Sequence, residues 1–506
     1  MTHIDVVSYL VKKGADIHKP NYNGGTCLIN AIQSVELCTF LIEHGADVNA
    51  TDIRNKTALH YAIQEHSLQT TKLLLKHNAD PYLQAQCNDD ALQTACLKGA
   101  VEIFKYLVEN VKYSPERLAD AHELMGSTFF DEHNNTQEAL KYWIAALAIR
   151  NANAVNGVPI PKRPVLPKCE TYKYASEFTT LDELNAIALD LDAIRIQSLL
   201  ICERVLGAHH KDTLARITLR GASYVDVFRY QNCMDLWLHA LEIRVEKDSI
   251  LHVDTYFHAQ TLLSTMVQLN DRSSEVGNHI RDKEEPRFCD VVTTFKLLSS
   301  QLIQTRQFLK RRPVHNAQCE NYERIFKCVI HLISLLIERG TTEEEKSLTR
   351  ELVTKLVKDN PRSIYSGDTL LHFGVSRMNT ISSYYSHVVQ SFHSISPILQ
   401  LVELLLECGA SVNARNDSGS TPLHVASDAI NFHNHVIKLL LDYGAHIDTP
   451  NLDGETPIEL ISANPLNTIN LLNYMSLKCY AAQAIRKYDI KCTYLPATLH
   501  DFLKFH

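Results

Sequence analysis

Apolar positions in the first 110 residues recur at helical spacing and do not alternate. Ala58, Leu59 and Ala62 share one face of a short helix, and Leu73, Leu74 and Leu75 open the apolar face of the next. The polar run NATDIRNKT reads as a hairpin leading into the first of these helices. The unit is thus helix, turn, helix, glycine-type stop and polar hairpin, and it repeats. Gly14-Ala15-Asp16 returns as Gly45-Ala46-Asp47 and then as Asn78-Ala79-Asp80, 31 and 33 residues on. The first helices start at Thr26-Cys27-Leu28-Ile29, at Thr57-Ala58-Leu59-His60 and at a degraded Asp90-Ala91-Leu92. The Thr57 hydroxyl suits a helix N-cap, and Gly45 supplies the positive φ that stops a second helix.

The pattern returns near the other end. Thr421-Pro422-Leu423-His424-Val425-Ala426 carries the T-P-L-H-x-A signature of ankyrin repeats. Pro422 falls in the first helical turn, where its missing N–H costs little. Gly409-Ala410 and Gly444-Ala445 lie 35 apart, as do Thr421 and Thr456. An earlier copy at Thr369-Leu370-Leu371-His372 precedes Thr421 by 52 residues, about 19 more than one repeat of 33. The excess is placed near residues 378–397, between the two helices of one repeat. His60, His372 and His424 occupy one position of the repeat. Such arrays present a rigid surface to partner proteins. The chain opens on IDVVSYLVKKGAD, a second helix with no first helix before it, which predicts that the full protein extends further upstream.

Residues 113–360 abandon this period. Two stretches there fit the tetratricopeptide pattern. One runs through Gly126, Phe129, Ala139, Trp143 and Ala146, the other through Gly221, Tyr224, Cys233, Trp237 and Ala240. Small residues let paired helices approach and the aromatics fill the gap, so both tryptophans are assigned to the core. Between the two stretches Pro159, Pro161, Pro164 and Pro167 exclude a helix and predict an extended connector over 157–167. Strand signals are weak throughout. The expected fold is all-α: ankyrin repeats over 1–112, a tetratricopeptide-like region over 113–250, a helical region over 251–360, ankyrin repeats over 361–473 and a helical box over 474–506.

Composition narrows the function classes. The net charge of −8 argues against binding by phosphate neutralisation, so no nucleic-acid partner is expected. Thirteen cysteines, an odd count without regular spacing, read as free thiols of a cytoplasmic or nuclear protein. The start is not a signal peptide. The longest apolar segment, near residues 329–337, is broken by His331 and Ser334 and is too short to span a bilayer. No phosphate loop, dinucleotide fingerprint or C-x-x-C pair occurs, so no cofactor, metal or catalytic residue is assigned. His433-Asn434-His435 is placed in a connection between ankyrin helices, and His209-His210 in a polar helix-end loop. The expected class is a non-catalytic binding protein.

The last 33 residues carry the sharpest signal. Leu477, Ala481 and Ile485 lie four apart and form one apolar stripe, with Ser476 as a candidate cap. A connector leads to Leu495-Pro496-Ala497-Thr498-Leu499 and a short helix ending in Phe502, Leu503 and Phe505. This resembles a VHL/SOCS-type box. The resemblance implies elongin C binding through Leu477, Ala481 and Ile485. It further implies cullin binding through Leu495, Pro496 and Leu499, in a form similar to the cullin-2 type. Ala481 stands where the usual box has Cys, and Thr498 where cullin-5 boxes have a second Pro.

Taken with MSLKCYAAQAIR, LWLHALEIR with RGASY before it, and TCLINA in the first full repeat, the order of parts resembles the feminisation (Fem-1) family. That family implies a substrate receptor of a cullin-2–elongin B/C ubiquitin ligase that binds C-terminal degrons, often ending in Arg. It also implies further ankyrin repeats, with most of the degron pocket, before Met1. Glu36 and Asp52 are then the carboxylates expected near the remaining concave face, too few for an acidic groove. The alternatives are a scaffold of ankyrin and tetratricopeptide repeats with no ligase role, or an ankyrin–SOCS-box receptor using cullin-5.

Overall fold

The computed structural model describes residues 3–154, 157–275, 285–311, 316–377, 380–382, 392–394, 398–475 and, beyond these, 480, 481, 484, 485, 488 and 490; for 3, 271–275, 380–382, 392–394 and 398 it describes the backbone alone. The chain divides into two compact units, residues 1–220 and 221–506.

In the first unit, α1 (His3–Lys12), α2 (Cys27–Asn30), α3 (Val35–Glu43), α4 (Ala58–Gln64), α5 (Leu68–Lys76), α6 (Ala91–Leu97) and α7 (Val101–Asn110) build the ankyrin array. Helices α2, α4 and α6 stack in one row, which continues onto α8 (Pro115–His133); α1, α3, α5 and α7 stack in the other. Leu28, Leu59, Ala62, Ile63 and Leu92 of the first row close on Leu41, Leu74, Phe104 and Leu107 of the second. Leu74 is fully buried near the end of α5. Leu73 and Leu75 pack against the same core, and the helix itself starts at Leu68, five residues before Leu73, after a left-handed His66 (φ 55°) and the N-cap position Ser67.

A capping histidine joins neighbouring repeats. The Nδ1 of His60 accepts from the Thr57 backbone N–H at 3.2 Å. That leaves Nε2–H to donate to the Asp89 carbonyl of the next hairpin at 3.0 Å. The same relay runs from His372 to the Ser420 carbonyl at 3.0 Å and from His424 to the Glu455 carbonyl at 3.2 Å. Burial holds all three imidazoles below the ordinary histidine range.

Beyond the array, α8 pairs with α9 (Thr136–Ala152) across a left-handed Asn134, and α10 (Leu181–Ile187) leads to α11 (Leu191–Leu206), which packs on α8. Trp143 is fully buried and donates its Nε1–H to the Glu123 carbonyl at 3.0 Å. The proline-rich connector is non-helical. Arg150 donates to the Ile160 and Pro161 carbonyls. Lys162 reaches Glu123 at 3.2 Å and Glu177 at 3.1 Å. Arg204 binds Asp120 and Glu177, both at 2.6 Å, and also Glu123. Burial alone would raise the Glu123 pKa, but Lys162, Arg204 and Arg150 outweigh it and hold the carboxyl below its usual range.

Helix α12 (Lys211–Asp226) crosses the boundary. The second unit continues with α13 (Tyr230–Asp248), α14 (Val253–Glu275), α15 (Phe288–Ser299), α16 (Leu302–Arg311), α17 (Asn316–Arg339) and α18 (Glu343–Asp359). Helix α17 is the hub, and α14, α15, α16 and α18 all pack on it. Its Tyr322, Phe326, Val329, Ile330, Ile333 and Leu336 are fully buried. His331 and Ser334 are buried with them.

The second ankyrin array is α19 (Leu370–Val375), α20 (Ile398–Glu407), α21 (Pro422–Ser427), α22 (Asn434–Asp442) and α23 (Pro457–Ala463). Between α19 and α20 lies the one strand pair among the described residues. The strands β1 (Thr380–Ser382) and β2 (Phe392–Ser394) pair antiparallel, with Ile381 opposite His393. After α23 the second helix of the last repeat is reduced to a 3-10 turn, Leu471–Tyr474.

Candidate protein-interaction surfaces

The hairpins between repeats expose their tips, with Ile53 and Tyr82 largely solvent-accessible. They are held from inside. The Asp52 carboxylate accepts the N–H groups of Arg54 at 2.9 Å and Lys56 at 2.8 Å, and the Tyr61 hydroxyl at 2.6 Å. Burial works to raise its pKa, but these donors prevail and lower it. Tyr61 is correspondingly pushed up to about 12, by burial and then by its bond to Asp52. Asp52 is therefore buried and fully occupied. Glu36 sits in the first turn of α3, in the second-helix row. Asp52 thus stays on the hairpin with its carboxylate engaged locally, whereas Glu36 stands on the second-helix row. Charges of both signs gather around Lys56, with Asp52 opposing the nearby cations. Burial, then Lys211 and Arg54, depress the Lys56 ammonium, and Lys98 adds to them.

Of the six residues assigned to the box, Ala481 and Ile485 are described. Both are helical, Ala481 exposed and Ile485 half-buried. The helix is marked by Tyr488 N–H donating to the Ala484 carbonyl at 3.0 Å, and its end by Ile490 N–H reaching back to Ile485 at 2.9 Å. Their four-residue spacing puts Ala481 and Ile485 on one face. Leu477, Leu495, Pro496 and Leu499 lie outside the described residues. Exposed Leu466, Leu472, Tyr480 and Tyr488 add apolar surface around this tail.

One histidine placement changes, and the helix-end loop position of His210 gains a buried partner. His433 is the N-cap position of α22, and Asn434 and His435 belong to its first turn, not to a connection. Asn434 Nδ2–H donates to the Leu466 carbonyl at 2.8 Å and its Oδ1 accepts from Thr468 N–H at 3.1 Å, tying this helix to the next repeat. His210 is buried between α11 and α12, its Nε2 3.0 Å from Asp89 Oδ1. Nothing in the local sequence signals that pair, because its members stand 121 residues apart.

Among the described residues no helix is long and apolar enough to cross a membrane. The ankyrin-repeat family model matches residues 1–85, 50–118 and 394–481. Protein fem-1 homolog C of Homo sapiens is 30% identical over 424 residues, covering 82% of this chain and 65% of that protein. The Xenopus laevis homolog C is 31% identical over 421 residues with the same coverage. Protein fem-1 homolog A of Bos taurus is 30% identical over 399 residues, 78% of this chain and 58% of that protein. The chain thus spans about 65% of the length of the homolog C proteins. Two arrays of histidine-joined ankyrin helices, helical hairpins centred on Trp143 and Trp237, and a likeness running over most of its length place this chain in the fem-1 family.

Proposed function

We propose that the chain is the substrate-recognition subunit of a cullin-2–elongin B/C ubiquitin ligase that directs proteins with C-terminal degrons to degradation. The observation that supports this reading is helical backbone at Ala481 and at Ile485, four residues apart and close behind the last ankyrin repeat of a fem-1 family member. In this reading Leu477, Ala481 and Ile485 meet elongin C, and Leu495, Pro496 and Leu499 select cullin-2. The chain itself is non-catalytic and positions the substrate. The ankyrin surfaces bind that substrate.

The test is co-purification of elongin C with the full chain and with Leu477→Asp. A leucine anchor inserts into a desolvated pocket, and a carboxylate there costs several kcal/mol. The wild type should retain elongin C and the variant should lose it, with helical circular dichroism unchanged. Equal recovery by both chains would remove the box assignment and leave a repeat scaffold. Replacing Leu495, Pro496 and Leu499 together by Ala should release cullin-2 and keep elongin C; recovery of cullin-5 by the native chain would contradict the cullin choice.

A further inference from the structure

The structure assigns a metal-ligand set to Cys87, Asp89 and His210, and we infer that it binds one zinc ion. Their donor atoms, Cys87 Sγ, an Asp89 carboxylate oxygen and a His210 ring nitrogen, all lie within 4.8 Å of one another. It is the one such group among the described residues. Zinc–ligand bonds of about 2.0–2.3 Å in a tetrahedral shell place donors about 3–4 Å apart, so closing on an ion needs only small side-chain adjustments. A mixed sulfur, nitrogen and oxygen set favours zinc over the hard cations, which take oxygen alone.

The donors stand on fixed backbone. Cys87 and Asp89 flank Asn88, which is left-handed at φ 66°. The turn is closed by Ala85 N–H to the Asp89 carbonyl at 2.9 Å and Asn88 N–H to the Ala85 carbonyl at 2.8 Å. Gln86 N–H ties it to the preceding hairpin through the Arg54 carbonyl at 2.8 Å. The His60 relay also ends on the Asp89 carbonyl. His210 is held from the other side: its N–H donates to the Gly207 carbonyl at 3.2 Å, and Asp212 N–H meets its Nδ1 at 3.2 Å.

In the metal-free site Nε2–H donates to Asp89. With zinc on Nε2 the ring proton moves to Nδ1; the Asp212 N–H then gives up that acceptor, and the Asp212 carboxylate, 3.6 Å away, closes in to take the proton. Cys87 gives up its thiol proton to solvent, and the ligand set then carries the two negative charges that balance the ion. Three protein ligands leave the fourth position to water. The ion would clamp the third ankyrin hairpin to the loop between α11 and α12, contacts that no local sequence motif encodes.

The test uses the full chain, freed of metal by a chelator and titrated with Co²⁺ as a spectroscopic probe. A saturable signal at one equivalent is expected, with a thiolate-to-cobalt charge-transfer band and tetrahedral visible bands, both erased by Zn²⁺. Cys87→Ser should abolish the charge-transfer band. Asp89→Asn, which keeps the side-chain shape, should weaken binding at least tenfold. Cys289→Ser, at an exposed thiol outside the cluster, should change neither. A wild type without a one-equivalent band, or a band that survives in Cys87→Ser, would overturn the assignment.

Discussion

His258, on α14, is buried, and its Nε2–H donates to the Trp237 carbonyl at 2.7 Å. Burial, against the help of that bond, drives its pKa down to about 4 from 6.5. A folded pKa below the unfolded one means that the unfolded chain takes the proton first. Stability is therefore complete above about pH 6.5 and is lost as the pH falls toward 4. The shift corresponds to roughly 3 kcal/mol at the acid limit. The neutral histidines of the relays, His60, His372 and His424, act in the same direction. We expect the urea midpoint to fall steeply between about pH 7 and pH 4.5, and less steeply in His258→Gln, which keeps a donor for the carbonyl. Parallel pH profiles for the two proteins would show that His258 does not titrate in this range.

At the scale of elements, the helical hairpins depend on a tryptophan ring packed directly against a glycine. A Cβ on Gly221 would stand 2.2 Å from Trp237 Nε1, and one on Gly126 would stand 2.6 Å from Trp143 Cδ1 and 2.9 Å from the Ala139 carbonyl. Neither ring has room to retreat, since both tryptophans are fully buried. Gly221→Ala should cost about 1–3 kcal/mol by overpacking, despite the gain in helix propensity. The measurement is the thermal midpoint, compared with Gly157→Ala, where the structure leaves open space at a Cβ and the strain comes from φ 77° alone. The ankyrin elements are ordered differently. Each first helix is short, six or seven residues in α4, α19 and α21. Such lengths are marginal in isolation, so the capping histidine and the neighbouring repeat stabilise them together.

For the molecule as a whole, repeats that touch mainly their neighbours make stability nearly a sum of local terms. Among the described residues beyond α23, apolar ones such as Leu472 and Tyr488 are exposed and none is fully buried. Removing residues 474–506 should therefore leave the helical signal and the melting transition of the remaining chain within a few degrees, yet abolish elongin C co-purification. A large loss of stability would instead make the tail a cap that seals the last repeat. The buried carboxylate–guanidinium network of Glu123, Arg150 and Arg204 has the opposite character. Removing one partner strands its counter-charges, and Glu123→Gln should destabilise the first unit by about 3 kcal/mol or more, read as a lowered urea midpoint.

The repeating part of this fold was legible in order because its signals are local. A threonine three before a histidine, a proline in the first turn, a glycine at positive φ and apolar residues at helical spacing all act within one turn or one helix. Thr57, Pro422 and Gly45 therefore disclosed their roles before any contact was known, as did Gly126 with Trp143. The four-residue spacing of Leu477, Ala481 and Ile485 is a signal of the same local kind. What depended on the tertiary structure joins distant residues. The partner of His60 is a carbonyl 29 residues on, and Asp52 turned out to be consumed within its own hairpin. The connector's anchorage on Glu123 and Glu177 has no sequence signature, because an ion pair imposes no fixed spacing. His210 looked like a polar loop residue, and only folding brings it to Asp89 and Cys87. Periodicity reports which face of an element is apolar; which charges and donors meet across that face is set by chain topology, and that is where the candidate chemistry of this protein lies.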